Sequence, residues 1–294
     1  MYYTAWIILT ASLVGLSCGL IGVFLILRKM AMMSDAISHT VLLGIVVAFM
    51  ITRVVTGPHM LIGAILAGLL TTFLVQWLHS LDIELHASMG IVFTTLFALA
   101  VILISTSVGN AHLDVKHALM GEITFVPFDT YALPFLGQVP KTTVMLFIVL
   151  LIVLFFIFAL YKEWKITSFD PALAASLGLP VVFLHYLFMS LVSITTVASF
   201  DAVGAIMVVA MLITPAAAAY LWTEKLSIML LLSASFGVIS SIVGYYIAFW
   251  LDTSISGSMA FATGLVFIFS FVFSPKHGLI SKWIKPSNTT STNY

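Results

Sequence analysis

Two ionisable side chains stand four residues apart in the stretch SDAISHT, residues 34–40, inside a long apolar run. Because four residues make about one helical turn, Asp35 and His39 would share one face of a helix. A carboxylate and an imidazole offer oxygen and nitrogen donors, which suit Mn²⁺, Fe²⁺ or Zn²⁺ better than Cu⁺. The pattern therefore predicts half of a metal site, which a second helix or subunit completes. A hydrogen bond that pins helices together and a proton relay are the two alternative interpretations.

Further ionisable residues are weaker candidates for metal binding. Asp201 opens the predicted seventh span, where the simplest interpretation is a helix cap and the alternative is a role in attracting cations at the outer mouth. His185 is interpreted as a packed histidine. The long segment between the fourth and fifth spans carries four more such residues, interpreted as ordinary loop residues rather than a cation-docking surface: His112, Asp114, His117 and Glu122.

The composition indicates which elements must position these side chains. The chain has 294 residues, of which 62% are hydrophobic and 7% charged, with a mean hydropathy of +1.21. So few charges in a chain of this size indicate a polytopic membrane protein. The apolar runs are continuous and about 20 residues long, which favours an all-α transmembrane helix bundle over alternating strands. The single cysteine, Cys18, excludes an internal disulfide and a cysteine metal cluster.

Nine membrane spans are predicted, with eight as the alternative because the sixth and seventh are closely joined. Eight basic residues lie on one side of these spans and three on the other, which by the positive-inside rule puts the N-terminus outside and the C-terminus in the cytoplasm. Residues 1–285 are expected to form a single transmembrane domain and residues 286–294 a disordered polar tail. The predicted spans are 5–27, 30–52, 60–79, 87–108, 142–161, 180–200, 202–222, 226–250 and 255–274.

A short cytoplasmic helix is predicted after the fifth span, in the sequence SFDPALAASLGLP. Asp170 is a good N-cap, and Pro171 fits the first helical position, where its missing N–H costs nothing. Gly178 suits the left-handed position after a helix, and Pro180 prevents the helix from continuing. The helix is therefore expected over about 171–177.

One apolar face is expected on this short helix, because Phe169, Leu173 and Leu177 recur every four residues. Such a face can dock into a groove on another protein, or it can rest on lipid. The chain contains no GxxxxGK[ST] motif, so it has no nucleotide-binding loop of its own. It also contains no HExxH motif, which makes an intramembrane metalloprotease the least favoured function.

Three longer motifs occur in the order LRKMAMMSDAISHTVLLG, SFDPALAASLGL and AVGAIMVVAMLITPAAAAYL. Together they resemble the permease subunit of the manganese, zinc and iron class of metal ABC importers, over about Leu16 to Lys276. The resemblance implies a transport subunit of the bacterial plasma membrane, without enzymatic activity, that works as a dimer of identical or related chains. Its implied partners are ABC ATPase subunits and an extracytoplasmic metal-binding protein, and no nucleic-acid partner is expected.

The resemblance also implies roles for particular residues. Asp35 and His39 match the D-x-x-x-H of the family's second span, which coordinates the metal inside the membrane, although Ser34 stands where relatives often carry glycine. Asp201 lies where related chains vary. No permanently bound cofactor is implied, because the ion is the cargo, with Mn²⁺ favoured and Zn²⁺ or Fe²⁺ as alternatives. A proton-coupled secondary transporter is the alternative of a different kind. The resemblance assigns coupling to the ATPase to Phe169, Asp170, Pro171, Leu173, Ala174, Leu177 and Gly178.

Overall fold

The computed structural model describes residues 2–52, 58–107, 123–133, 137–275 and 278. Within these residues nine helices are long and apolar enough to cross a membrane, which confirms the predicted all-α bundle with nine spans rather than eight. Two shorter helices lie between the fifth and sixth of these spans. The helices are α1 Tyr2–Leu27, α2 Met32–Thr52, α3 Pro58–His79, α4 Leu85–Ser107, α5 Lys141–Ala159, α6 Tyr161–Phe169, α7 Pro171–Ser176, α8 Val181–Val203, α9 Ala205–Trp222, α10 Leu226–Leu251 and α11 Ile255–Phe273.

Several predicted helix ends differ from the structure by one to three residues. The sixth span, α8, continues to Val203, and a single residue, Gly204, separates it from α9. Gly204 has a φ of 81°, in the left-handed region that glycine adopts readily, so the helix breaks at this position. Asp201 therefore lies in the last turn of α8 and does not cap α9. The second span, α2, begins at Met32 rather than at residue 30.

The helices form two groups that α8 joins. In the first group, α9 and α10 pack against each other, and each also packs against α1 and α11. In the second group, α2, α3 and α4 pack against one another. Helix α8 contacts α1 and α9 of the first group and α2 and α3 of the second. A movement of α8 would therefore act on both groups.

Close backbone contact holds the first group together. A Cβ atom on Gly15 of α1 would lie 2.7 Å from the carbonyl carbon of Gly237 on α10, so these two backbones meet without intervening side chains. Beside this contact, Ser233 donates a 2.7 Å hydrogen bond to the carbonyl oxygen of Gly19. Small residues and hydrogen bonds between helices are the devices that hold helices together in lipid, where the hydrophobic effect between helices is weak.

The described part of the segment between α4 and α5 is folded, although the sequence indicates only a loop there. A 3-10 helix, Ile123–Phe128, leads into two antiparallel strands, β1 Thr130–Leu133 and β2 Gly137–Pro140. The hydroxyl of Tyr3 donates a hydrogen bond to the carbonyl oxygen of Thr124. These elements therefore lie at the end of the bundle that holds the start of α1.

Candidate functional site

The ligand pair, Asp35 and His39, lies on one face of α2, as its spacing predicts. The Nε2 atom of His39 lies 3.5 Å from the Oδ1 atom of Asp35. The side chain of Asp35 is 41% exposed, and that of His39 is 37% exposed. Asp35 lies in the first turn of α2, where the helix dipole stabilises a carboxylate. The pair thus presents an oxygen donor and a nitrogen donor at an accessible point near one end of the bundle.

The serines next to the ligand pair face the protein interior. Both Ser34 and Ser38 are fully or almost fully buried, while the pair is partly exposed. The hydroxyl of Ser38 donates a 2.9 Å hydrogen bond to the carbonyl oxygen of Ser34, one turn earlier in the same helix. Such a bond uses the serine donor within the helix backbone. The hydroxyl of Ser38 is therefore engaged within α2, whereas the buried hydroxyl of Ser34 has no hydrogen-bond partner among the described residues.

Two aromatic rings of α4 contact the imidazole of His39. The Phe93 ring stacks on it with 5.6 Å between centroids and an interplanar angle of 27°. The Phe97 ring meets it edge-on, also at 5.6 Å, with an angle of 71°. Neither residue was predicted to belong to the site, because phenylalanines in an apolar span look like ordinary lipid-facing or core residues.

The structure does not bring Asp201 to the ligand pair. α1 ends and α2 starts at the end of the bundle where Arg28 meets Thr167 and Ser168, and α8 starts at this end as well. Asp201 lies about 30 Å further along α8, at 1.5 Å per residue. Among the described residues no group of three or more His, Cys, Asp or Glu side chains could hold one ion. Four candidate residues lie outside the described ranges: His112, Asp114, His117 and Glu122.

The docking helix, which is α7, has the predicted caps. The Oδ1 atom of Asp170 accepts a 2.9 Å hydrogen bond from the backbone N–H of Leu173, and Pro171 is the first helical residue. Gly178 has a φ of 78° after the helix end, in the region that favours glycine. The helix ends at Ser176, one residue earlier than expected. The preceding helix α6 was not predicted.

An apolar stripe lies exposed along the docking helix and its flanks. Phe169, Leu173 and Leu177 are 58%, 50% and 61% exposed. Phe169 ends α6 and Leu177 caps the end of α7, so only Leu173 lies within the docking helix. Ala174 is fully buried and faces the rest of the chain. The docking helix therefore rests on the bundle by its small residue and presents its large apolar residues outward.

Comparison with known proteins gives the family. A family model described as the ABC 3 transport family matches residues 1–274. The chain belongs to this family. The chain is 54% identical over 288 residues to the manganese transport system membrane protein MntD of Bacillus subtilis, covering 98% of both chains. It is 40% identical to the zinc transport system membrane protein TroD of Treponema pallidum, covering 95% of this chain and 76% of that one.

A solved structure supports the fold of this ABC 3 family chain. The structure described as PsaBC from Streptococcus pneumoniae in complex with Fab matches it with a TM-score of 0.78 and 34% sequence identity. The match covers 94% of both chains. The nine apolar helices and the family together make this chain a multi-pass membrane protein of an ABC transport system.

An anchor of four residues holds α6 of the ABC 3 family chain to the bundle: Phe24, Arg28, Trp164 and Phe188. Trp164 of α6 is 1% exposed. Its ring meets Phe24 of α1 and Phe188 of α8 edge-on, with 5.6 Å between centroids in both pairs. Phe24 and Phe188 also contact each other, at 6.0 Å. Because edge-to-face pairs are favourable beyond their buried area, this cluster joins three helices at one point.

The guanidinium of Arg28 completes the anchor. Its Nε atom donates a 3.1 Å hydrogen bond to Ser168 Oγ, and its Nη2 atom donates one of 3.1 Å to Thr167 Oγ1. Its Cζ atom lies 4.5 Å from the centroid of the Phe188 ring, a cation–π contact. Burial lowers the pKa of Arg28 to about 10, so the side chain is still charged at neutral pH. Sequence analysis used Arg28 only as a marker of the cytoplasmic side.

Proposed function

We propose that this chain is the permease subunit of an ATP-driven importer of a divalent transition metal ion, with Mn²⁺ as the favoured cargo. The ligand pair carries the proposal, because an accessible carboxylate and imidazole 3.5 Å apart can bind such an ion. The relative named as a manganese transport protein, 54% identical over 98% of the chain, supports Mn²⁺. The relative named as a zinc transport protein keeps Zn²⁺ as the alternative, and Fe²⁺ is the other member of the same class.

A second permease chain, identical or related, completes the metal site in this proposal. Asp35 and His39 supply two donors, whereas zinc takes four ligands and Mn²⁺ suits an octahedral, oxygen-rich site. The pair is partly exposed on the surface of one chain, so a partner helix or water can reach the ion from the open side. The ion is transient cargo on this path, and the chain itself makes and breaks no covalent bond.

The docking helix links the permease to ABC ATPase subunits in the same proposal. Its exposed stripe of Phe169, Leu173 and Leu177 offers an apolar surface for a groove on a partner. In this proposal the docking helix lies in the cytoplasm and the start of α1 lies outside, which the distribution of basic residues supports. An extracytoplasmic metal-binding protein then delivers the ion at the end with the 3-10 helix.

The proposed site is tested by replacing Asp35 and measuring metal uptake. The importer, with its ATPase subunits, is reconstituted in liposomes, and ATP-dependent uptake of Mn²⁺ is compared for Asp35→Asn and for Asp82→Asn as the control. Asp82 is an exposed carboxylate between α3 and α4 with a φ of 62°, which asparagine tolerates. We expect uptake to be abolished in Asp35→Asn and retained in the control.

Two results would contradict the proposal. Unchanged Mn²⁺ uptake in Asp35→Asn would show that the ligand pair is not on the transport path. Uptake by the permease alone, driven by a proton gradient without ATP, would instead favour a secondary transporter in which Asp35 and His39 relay protons.

A further inference from the structure

We propose that Phe93 and Phe97 of α4 are positioning residues that hold His39 in the orientation in which it binds the metal ion. This inference rests on the proposed function, since it concerns the same ligand pair. The two phenylalanines touch neither Asp35 nor the ion in this proposal. They act through the imidazole, which they contact from two directions.

The two ring contacts together define the orientation of the imidazole. A histidine side chain on a helix has two free torsions, and a partly exposed imidazole can adopt several of their combinations. Stacking on Phe93, at an interplanar angle of 27°, sets the plane of the His39 ring. The edge contact with Phe97, at an interplanar angle of 71°, fixes the rotation of the imidazole about the Cα–Cβ bond. In this orientation Nε2 faces the carboxylate of Asp35.

The spacing of the two phenylalanines suits this role. Phe93 and Phe97 are four residues apart, so α4 presents both rings from adjacent turns on one face. The ligand pair has the same four-residue spacing on α2. Both rings therefore reach the turn of α2 that carries His39, and α4 packs directly against α2.

The stacked ring also favours the metal-bound form of His39. The face of a phenylalanine ring carries partial negative charge. An imidazole that donates its lone pair to a divalent ion becomes more positive, so its contact with the Phe93 face strengthens. The stack is thus stronger with the ion in place than without it, and Phe93 and Phe97 add to metal affinity without being ligands.

Control of the site by α4 follows from this arrangement. Helix α4 packs against α2 and α3 at the edge of the bundle, and its span is among the least buried of those described. A shift of α4 along α2 would remove both rings from His39 at once. The imidazole would then be free to turn away from Asp35, which lowers affinity and releases the ion.

The experiment compares Phe93→Leu, Phe97→Leu and the double variant in the reconstituted importer. The KM for Mn²⁺ is expected to rise about threefold for each single variant and about tenfold for the double variant, from the usual strength of aromatic pairs. The maximal ATP-dependent uptake rate should change little, because the ligands and the ATPase remain. Phe73→Leu is the matched control, since Phe73 of α3 is exposed and makes no ring pair within the described residues.

A spectroscopic measurement separates positioning from a loss of packing. Mn²⁺ bound to the complex gives a ¹⁴N modulation in pulsed electron paramagnetic resonance when an imidazole is a ligand. This signal should weaken in Phe93→Leu/Phe97→Leu and persist in the Phe73→Leu control. Phe93→Tyr, used in place of Phe93→Leu, keeps a ring that can stack. It should therefore show the ¹⁴N signal and the KM of the unaltered protein.

The outcomes distinguish this inference from the proposed function. If Asp35→Asn abolishes uptake but the double leucine variant keeps the original KM and ¹⁴N signal, the ligand pair stands and the positioning role is wrong. If Asp35→Asn leaves uptake unchanged, the proposed metal site is wrong, and the positioning role that rests on it is wrong as well. If the double variant loses maximal rate and thermal stability with an unchanged KM, Phe93 and Phe97 only pack α4.

Discussion

The ligand pair on α2 is about two-fifths exposed, whereas Trp164 in the anchor of α6 is 1% exposed. Both regions lie near the same end of the bundle. His39 is held by two ring contacts from one neighbouring helix, while the anchor joins α1, α6 and α8 through three ring pairs and two hydrogen bonds. One region is open on one side, whereas the three aromatic rings of the other are buried and only its Arg28 is partly exposed.

Under the proposed function, the difference follows from the separate tasks of the two regions. A transported ion has to enter and leave, so its ligands need an open side and a neighbour that can move. A docking helix that receives force from an ATPase has to pass it on without bending at its base. The buried anchor provides that rigidity, because well-packed interiors yield little to strain.

Helix α8 connects these two regions. It begins at Val181, four residues after Leu177 of the docking-helix stripe, and packs against α3 and α2. Ser193 of α8 packs into the gap left by Gly68 of α3, and Ile37 of α2 borders the same gap. Movement at the docking helix can therefore reach the group of helices that carries Asp35 and His39.

The largest effect on stability is expected when the buried ring of Trp164 is removed from the anchor. Trp164→Ala should lower the free energy of unfolding by about 3–5 kcal/mol, because a fully buried indole leaves a cavity. Chemical denaturation of the purified permease in detergent measures this change. Asp35→Ala is the comparison variant, and an equal loss of stability in both would contradict the contrast between the two regions.

The next largest effect concerns the exposed stripe of the docking helix. Leu173→Glu should cost at least about 2 kcal/mol of binding to the ATPase, the size of an interface hot spot, and should leave the permease folded. Ala175→Glu is the control, because Ala175 is exposed on the opposite side of the helix. Co-purification and stimulated ATP hydrolysis report the result. Retention of both in Leu173→Glu would exclude the docking role.

A smaller effect is expected at the joint between α3 and α8. Gly68→Ala places a methyl group against the Ser193 hydroxyl and 3.3 Å from Ile37, which should cost about 1–3 kcal/mol of stability and slow transport. Ser193→Ala in the same chain should restore part of the loss.

Gly90→Ala on α4 is the control for this joint, because an added Cβ there meets no described atom within 4 Å. We expect it to be neutral or to stabilise by up to about 1 kcal/mol, as alanine is the better helix former. Thermal unfolding and uptake rates report both variants. Equal effects of Gly68→Ala and Gly90→Ala would show that α8 does not press on α3.

The smallest stability effect is expected in the open region itself. Asp35→Asn should change the free energy of unfolding by no more than about 0.5 kcal/mol, as is usual for partly exposed positions. The same variant is expected to abolish uptake. A large loss of stability would mean that the Asp35–His39 contact pins helices together, which is the structural alternative for the pair.

Local sequence patterns predict the membrane spans, the short helix α7 and the helix face that Asp35 and His39 share. The nine spans follow from apolar runs long enough to cross a bilayer, and the docking helix follows from Asp170, Pro171 and Gly178 at its ends. The shared face of Asp35 and His39 follows from helical periodicity alone. Each of these inferences uses residues that are near one another in sequence.

Other features could not be predicted, because they depend on which helices become neighbours. The boundary at Gly204 was missed, since residues 201–203 are compatible with either helix and only the observed φ locates the break. The roles of Phe93, Arg28 and Trp164 were missed for the same reason. An aromatic residue in an apolar span carries no local signal of the ring that it will touch.

Local sequence patterns establish the class of the protein, its spans, the capped short helix α7 and the spacing of one carboxylate and one imidazole. Those features depend on hydrophobicity, helix caps and periodicity, which act within one segment. The tertiary structure alone decided that the pair lies open beside two rings of α4, while the base of the docking helix is closed by residues from three helices. Packing between distant segments decides exposure, and exposure separates the place where an ion can bind from the place where force can pass.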